Sequence, residues 1–155
     1  MSDDKKDVAG VIAFPPLIYG APLALAVAFD RLFNSKRLPV AARFLSLGFF
    51  VAGASTVASA FVALKRAGTY IDVNEETTAI VEDGPYAYTR NPIYLGLTFG
   101  YIGVSLAART ALPLAILPGV LWVMNAGVIE REERYLERKF GKTYRAYRDR
   151  VPRWV

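Results

Sequence analysis

Gly84-Pro-Tyr-Ala-Tyr-Thr-Arg-Asn-Pro-Ile-Tyr-Leu-Gly96 is the stretch on which the reading of this chain turns. Gly84-Pro85 marks a turn. Asn91-Pro92 is helix-start chemistry: an N-cap side chain, then a residue with no N–H to leave unpaired at the first helical position. Arg90 stands just outside that start, among Tyr86, Tyr88 and Tyr94. Arg and Tyr also gather at helix starts in the membrane interface, so local chemistry alone does not separate a site from an anchor. A second polar cluster does: Glu130-Arg-Glu-Glu133 lies at the far end of the apolar hairpin that follows. A hairpin returns its second end to its first.

Outward from this stretch the chain is unusually apolar. Of its 155 residues 54% are hydrophobic, and residues 8–29, 44–64, 91–108 and 110–129 form four runs without a charged side chain. A run of about 18–20 such residues crosses the hydrocarbon core as a helix. The expected fold is therefore all-α and integral to the membrane. About four transmembrane helices make one domain over residues 1–155, with a polar loop at 67–94 and an amphipathic C-terminal segment at 130–155. The first run is too long, and its flanks too acidic, for a cleaved signal peptide.

The chain has no cysteine and no histidine. That removes disulfides, thiolate nucleophiles, imidazole bases and nearly every zinc or haem site, so no metal is expected. Chemistry must run on carboxylates, Tyr, Arg, Lys, backbone groups or a borrowed cofactor. The net charge of +5 fits a cytosolic membrane face better than nucleic-acid binding, and no nucleic-acid partner is expected. With four spans, the N-terminus, the middle loop and the tail share one side and hold fourteen of the nineteen Lys and Arg residues. The other side holds five: Arg31, Lys36, Arg37, Arg43 and Arg109. That bias places both termini in the cytosol, although the four charges of the first short loop pull the other way.

Residues 1–7 read as a disordered charged tail, and Pro15-Pro16 and Pro22 as kinks in the first span. Gly48, Gly53, Ala54, Ser55, Ala58, Ser59 and Ala60 in the second span suit close helix packing and leave room for a homo-oligomer. Residues 69–73 and 78–81 look extended, with Asn74-Glu-Glu76 as a turn between them. Gly96, Gly100 and Gly103 suit a helix neighbour or a ligand against the backbone. Arg109 turns a tight hairpin into a fourth span that Pro113 and Pro118 interrupt. Beyond it Ile129, Leu136, Phe140, Tyr144, Tyr147 and Val151 make an apolar stripe among Arg and Lys, broken at Gly141 and suited to an anionic membrane surface. Acidic groups gain nothing there, so Glu130, Glu132 and Glu133 need another partner or a task.

Two motifs now stand in order: Gly84-Pro-Tyr-x-Tyr-x-Arg-Asn-Pro-x-Tyr-x-Gly96, then Glu132-Glu-x-x-Leu-x-x-x-Phe-Gly-x-x-Tyr-x-x-Tyr147 with Val151-Pro-Arg153. Together they resemble the isoprenylcysteine carboxyl methyltransferase family, which shares its general plan with the phospholipid N-methyltransferases. The resemblance covers residues 69–153. It implies a multi-pass membrane methyltransferase that uses S-adenosylmethionine, with the cofactor enclosed by the loop before the third span, the start of that span and an amphipathic C-terminal helix closing over it. The site is expected on the cytosolic side of a prokaryotic plasma membrane. Carried over by position, the cofactor contacts are Thr78, Ala79, Ile80, Val81, Tyr86, Asn91, Pro92, Ile93, Tyr94 and Glu132. Arg90, Glu132 and Glu133 are the candidate catalytic residues. Asn91 stands where the eukaryotic pattern often has His. Val128 stands where the prenylcysteine enzymes place an Arg for the substrate carboxylate, which disfavours a carboxylate acceptor.

Methyl transfer from a sulfonium needs no protein nucleophile, so the missing Cys and His are no obstacle. It needs donor and acceptor held in line, and a partner for a cation. The expected substrate is a lipophilic small molecule or lipid in contact with membrane lipids, methylated at S, N or O. Two other classes fit the helical layout. A sterol or enoyl reductase would bind NADPH in place of S-adenosylmethionine. A non-enzymatic four-helix membrane protein for packing or transport would carry an ionisable residue inside a span, and none of the four runs has one.

Overall fold

A computed structural model describes residues 9–33, 37–69 and 77–155, and among them every regular element is helical. The helices are α1 (Pro15–Leu32), α2 (Ala42–Arg66), α3 (Pro92–Ala108), α4 (Leu112–Met124), α5 (Glu130–Phe140) and α6 (Lys142–Arg150). A short 3₁₀ turn, Gly84–Ala87, precedes α3, and a π-helical turn, Asn125–Ile129, joins α4 to α5 without a break. Among the described residues two helices are long and apolar enough to cross a membrane: Ala42–Arg66 and the continuous Leu112–Phe140. Helix α3 is a shorter apolar helix.

Helix α1 begins later than the apolar run that contains it. Pro15 and Pro16 occupy its first turn, where a missing N–H costs nothing, so they open the helix; only Pro22 lies inside it. Asp30 and Arg31 fall in its last turn. The residues before it run along the π turn instead, with the Ile12 amide donating to the Gly127 carbonyl at 3.2 Å. A Cβ on Gly127 would collide with the Ile12 side chain, so glycine is what lets this segment lie flat there. In α4, Pro113 likewise sits in the first turn and Pro118 in an unbroken helix; the irregularity falls at Asn125–Ile129.

Helix α2 is packed inside out. It buries Ala42, Ser46, Gly53, Ala60, Ala63 and Leu64, and turns Phe44, Leu45, Leu47 and Val51 outward, Phe44 to 80% exposure. Small residues inward and large apolar residues outward are expected where the surroundings are lipid and helices associate by close contact. That contact is with α3. A Cβ on Gly53 would come within 2.9 Å of the Gly96 carbonyl, a Cβ on Gly96 would overlap Val57, and Gly103 faces the Phe50 ring. Gly53, Gly96 and Gly103 thus serve helix packing, whereas a Cβ on Gly48 or Gly100 would meet open space. Helix α1 packs on both α3 and α4, around Tyr19, Tyr94, Tyr101, Val120, Met124, Val128 and Ile129.

Arg109 closes the hairpin between α3 and α4 in the left-handed region, at φ 59°. Its guanidinium Nε donates to the Leu38 carbonyl at 2.7 Å and its own carbonyl accepts from the Leu38 amide at 2.9 Å. Residues 78–81, read as extended, carry no regular element. The Thr78 amide and hydroxyl bond Thr69 Oγ1 and the Gly68 carbonyl, at 3.1 and 3.2 Å, so local partners replace a ladder. The extended stretch beyond Thr69, the Asn74–Glu76 turn and the N-terminal tail lie outside the described residues.

Candidate functional site

Four segments meet at the end of α2, α3 and the long helix: the loop 77–81, the turn 84–91, the start of α3, and α5 with α6. They enclose an open-mouthed cavity of about 160 Å³. Ala79, Ile80, Val81, Tyr86, Arg90, Asn91, Pro92, Ile93, Tyr94, Glu132 and Glu133 all line it. Thr78 does not; its neighbour Thr77 takes that place, with its amide donating to the Tyr135 hydroxyl at 3.2 Å. Leu64, Tyr135, Leu136, Tyr144 and Tyr147 also line the cavity and went unassigned in the sequence. The aromatic spacing of the tail was the available signal for the last two.

The tail was expected both to suit a membrane surface and to close over the cofactor, and its apolar stripe packs inward. Tyr144, Tyr147 and Val151 are buried against Ile80, Leu136 and Phe140. The loop at 77–81 offers this apolar face a protein partner, so α5 and α6 turn inward over the cavity. Gly141 makes the corner between them at φ 53°. The Tyr147 hydroxyl donates to the Tyr86 carbonyl at 2.8 Å, tying α6 to the turn before α3. Burial pushes the phenols of Tyr86, Tyr144 and Tyr147 up, so they act as neutral donors and ring faces.

The two adjacent glutamates differ in surroundings. Glu133 is already neutralised: Arg153 grips it through Nε and Nη2 at 3.0 and 2.6 Å, and Arg90 Nη1 pairs with it at 3.0 Å. Arg153 also donates to Asn125 Oδ1 at 3.0 Å, and the Glu133 bonds raise its pKa further above the usual range. The same strap is fastened by backbone. The Arg90 amide donates to the Pro152 carbonyl at 2.9 Å, and Thr89 Oγ1 and Asn91 Nδ2 donate to the Arg153 carbonyl at 2.9 and 3.0 Å. Asn91 therefore stands at the N-cap position of α3 without capping it; its side chain holds the C-terminal strap.

Glu132, by contrast, has no cationic partner among the described residues. It accepts a 2.6 Å hydrogen bond from the Tyr94 hydroxyl. It lies in the first charged turn beyond the apolar part of the long helix, which ends at Ile129. Burial pushes its carboxyl up to about 7, the Tyr94 bond pulls it back and the Glu133 charge adds to the rise. Arg90 supplies the complementary feature. Its side chain is 11% exposed, its Nη1 also reaches the Tyr144 hydroxyl at 3.3 Å, and its buried Nε has no hydrogen-bond partner. Val128 does not reach this cavity; it is fully buried in the helix core on the π turn.

A half-buried carboxylate with no cation beside it among the described residues, aromatic rings and an unsatisfied guanidinium N–H suit a zwitterionic, cationic ligand. Such an arrangement agrees with what the chain is similar to. A protein-S-isoprenylcysteine O-methyltransferase of Schizosaccharomyces pombe is 31% identical over 109 residues, covering 69% of this chain and 46% of that protein. One of Saccharomyces cerevisiae is 35% identical over 77 residues, 50% of this chain and 32% of that protein. A third, from Arabidopsis thaliana, is 32% identical over 81 residues, 52% and 41% of the two chains. The chain thus spans less than half the length of these curated relatives. No solved structure matches it significantly. Residues 41–143, which carry both glutamates, the turn before α3 and the helices between them, match the phospholipid methyltransferase family, and the chain belongs to that family.

Proposed function

We propose that the chain is an S-adenosylmethionine-dependent methyltransferase of the membrane, acting on a lipophilic acceptor that enters from the bilayer. It works as one domain of four spans with its termini and cavity on the cytosolic side. The observation that carries this reading is Glu132: a half-buried carboxylate with no cationic partner among the described residues, facing a cavity built from both family motifs. Bound there, S-adenosylmethionine supplies a methyl group activated on a sulfonium. Glu132 would hold its positive charge, with Tyr94 keeping the carboxylate oriented. Arg90 Nε would meet its carboxylate, while the Glu133 and Tyr144 bonds fix the guanidinium. Leu64, Val81, Tyr86 and Ile93, which pack together, offer an apolar wall for its ring system.

The remaining work of the chain is positional. Helices α5 and α6 cover the cavity and exclude water, and the cavity's apolar rim faces helices whose outer surfaces are apolar. Orientation of donor and acceptor contributes the larger share of such catalysis. A neutral thiol, phenol or amine would be cheaper to desolvate here than a carboxylate, because Arg90 and Arg153 are already engaged by Glu133. Val128, buried in the core, offers no such discrimination by contact, and the preference rests on the occupied arginines. NADPH fits less well, since its phosphates would face Glu132.

The test is thermal shift and calorimetry of the detergent-solubilised protein with S-adenosylmethionine and S-adenosylhomocysteine. Saturation at about a hundred times Kd should stabilise the fold by about 2.7 kcal/mol. Folded protein that gains nothing from either ligand, and gains from NADPH, would refute the proposal.

A further inference from the structure

Helix α5 has two chemically opposite faces. Glu132, Glu133, Tyr135 and Leu136 line the cavity. Arg131, Arg134 and Arg138, spaced three and four residues apart, share the other side and are all exposed. Arg131 Nη1 reaches the Gly10 carbonyl at 3.0 Å. Among the described residues no acidic side chain lies within ion-pair distance of any of the three. The acids of this region are engaged elsewhere: Glu137 with Arg145 and Arg148, Glu82 with Arg150, and Glu130 and Glu133 with Arg153.

The outer row of the long helix explains what this face meets. Ala115, Pro118, Gly119 and Trp122, with Ala126 in the π turn, are its exposed residues before Glu130. At Ile129 the row changes from apolar to arginine. With 1.5 Å of rise per residue, Arg131 and Arg134 stand about 3 and 8 Å beyond Ile129, and Arg138 about 14 Å. The headgroup layer on each side of the hydrocarbon is roughly 5–8 Å deep. Two guanidinium groups therefore fall at phosphate level, and the third reaches down to it along a flexible stem. Because the apolar stripe of α5 and α6 is spent on Ile80 and the cavity, these arginines are the groups that α5 turns outward to the surrounding lipid.

We propose that Arg131, Arg134 and Arg138 form a binding site for the phosphate headgroup of anionic phospholipid, selecting such lipid against zwitterionic lipid around the long helix. Guanidinium groups take phosphate oxygens in bidentate fashion, and a zwitterionic headgroup sets its own ammonium against them. The site is separate from the cavity, so it stands or falls independently of the methyltransferase reading.

The full-length chain is purified in neutral detergent and exposed to an equimolar mixture of phosphatidylcholine and phosphatidylglycerol. Native mass spectrometry reads the lipid retained, and melting is followed with each lipid alone. Wild type should retain phosphatidylglycerol in preference and melt higher with it. R134Q/R138Q should lose that preference by roughly fivefold per arginine. R37Q/R43Q, which removes equal charge from the opposite end of the molecule, should keep it. Equal retention of both lipids by wild type, or an unchanged preference in R134Q/R138Q, overturns the proposal. So does an equal loss in R37Q/R43Q, which would make the effect one of net charge. Inorganic phosphate in neutral detergent should not raise the melting temperature; a rise matching that of phosphatidylglycerol would indicate a free-phosphate site instead.

Discussion

Replacing Glu132 with Gln should make the empty protein more stable and the cofactor weaker-binding. The folded carboxyl titrates at about 7, against an ordinary value of 4.5. The folded state therefore holds a proton that the unfolded chain has already released. Stability from this group is fully present below about 4.5, falls as pH rises, and is lost by the time pH passes about 7. At 1.36 kcal/mol per pH unit, the span from 4.5 to about 7 makes the buried charge cost about 3 kcal/mol at pH 8. Glutamine keeps an acceptor for the Tyr94 hydroxyl and removes the charge. Glu132→Gln without cofactor should melt higher than wild type at pH 8, by an amount that shrinks toward pH 5. Cofactor binding goes the other way. Losing a charge-assisted contact of about 1.5–3 kcal/mol weakens Kd roughly ten- to a hundred-fold. Wild-type affinity should rise about tenfold per pH unit up to about 7 and then level, while the variant's stays flat. Melting curves in detergent between pH 5 and 8, with and without S-adenosylmethionine, read both effects. A variant less stable than wild type at pH 8, together with a wild-type affinity indifferent to pH, would refute the account of Glu132 as an unpaired charge awaiting a cation.

Tyr94→Phe removes the 2.6 Å bond that lowers the Glu132 pKa, so the pH midpoint of cofactor affinity should move upward by about one unit; titration calorimetry across pH 6–9 measures it. Arg153→Met leaves Glu133 with Arg90 alone and should cost about 2 kcal/mol of stability, with faster trypsin cleavage at Arg150 as the strap loosens. Gly96→Ala forces a methyl against Val57 and the Gly53 carbonyl and should cost about 1–3 kcal/mol; the loss should shrink when Val57 is also cut to Ala, which a double-mutant cycle in detergent will show.

How much of this was legible beforehand depends on which groups carry each feature. The apolar runs and Gly-rich rows are side-chain patterns, and they led directly to a helical fold and to close helix packing, but not to which helices pair. Glu132 and Tyr94 were legible because both belong to spaced motifs. The strap was not. Its fasteners are the carbonyls of Pro152 and Arg153, which every residue possesses, so no residue type announces them. Asn91 was misread for the same reason: its side chain had a local capping role to hand and took a distant carbonyl instead. The difference between Glu132 and Glu133 was invisible too, since it lies in which neighbour Arg153 reaches. The π turn is the deepest of these gaps. An α-helical count from Trp122 to Arg131 assumes 3.6 residues per turn, but the wider turn at Asn125–Ile129 rotates everything beyond it. That rotation decides that Val128 enters the core, Glu132 the cavity, and Arg131, Arg134 and Arg138 the outside. It also leaves the Gly127 carbonyl to accept from Ile12, so the segment before α1 helps to hold the register on which the site depends.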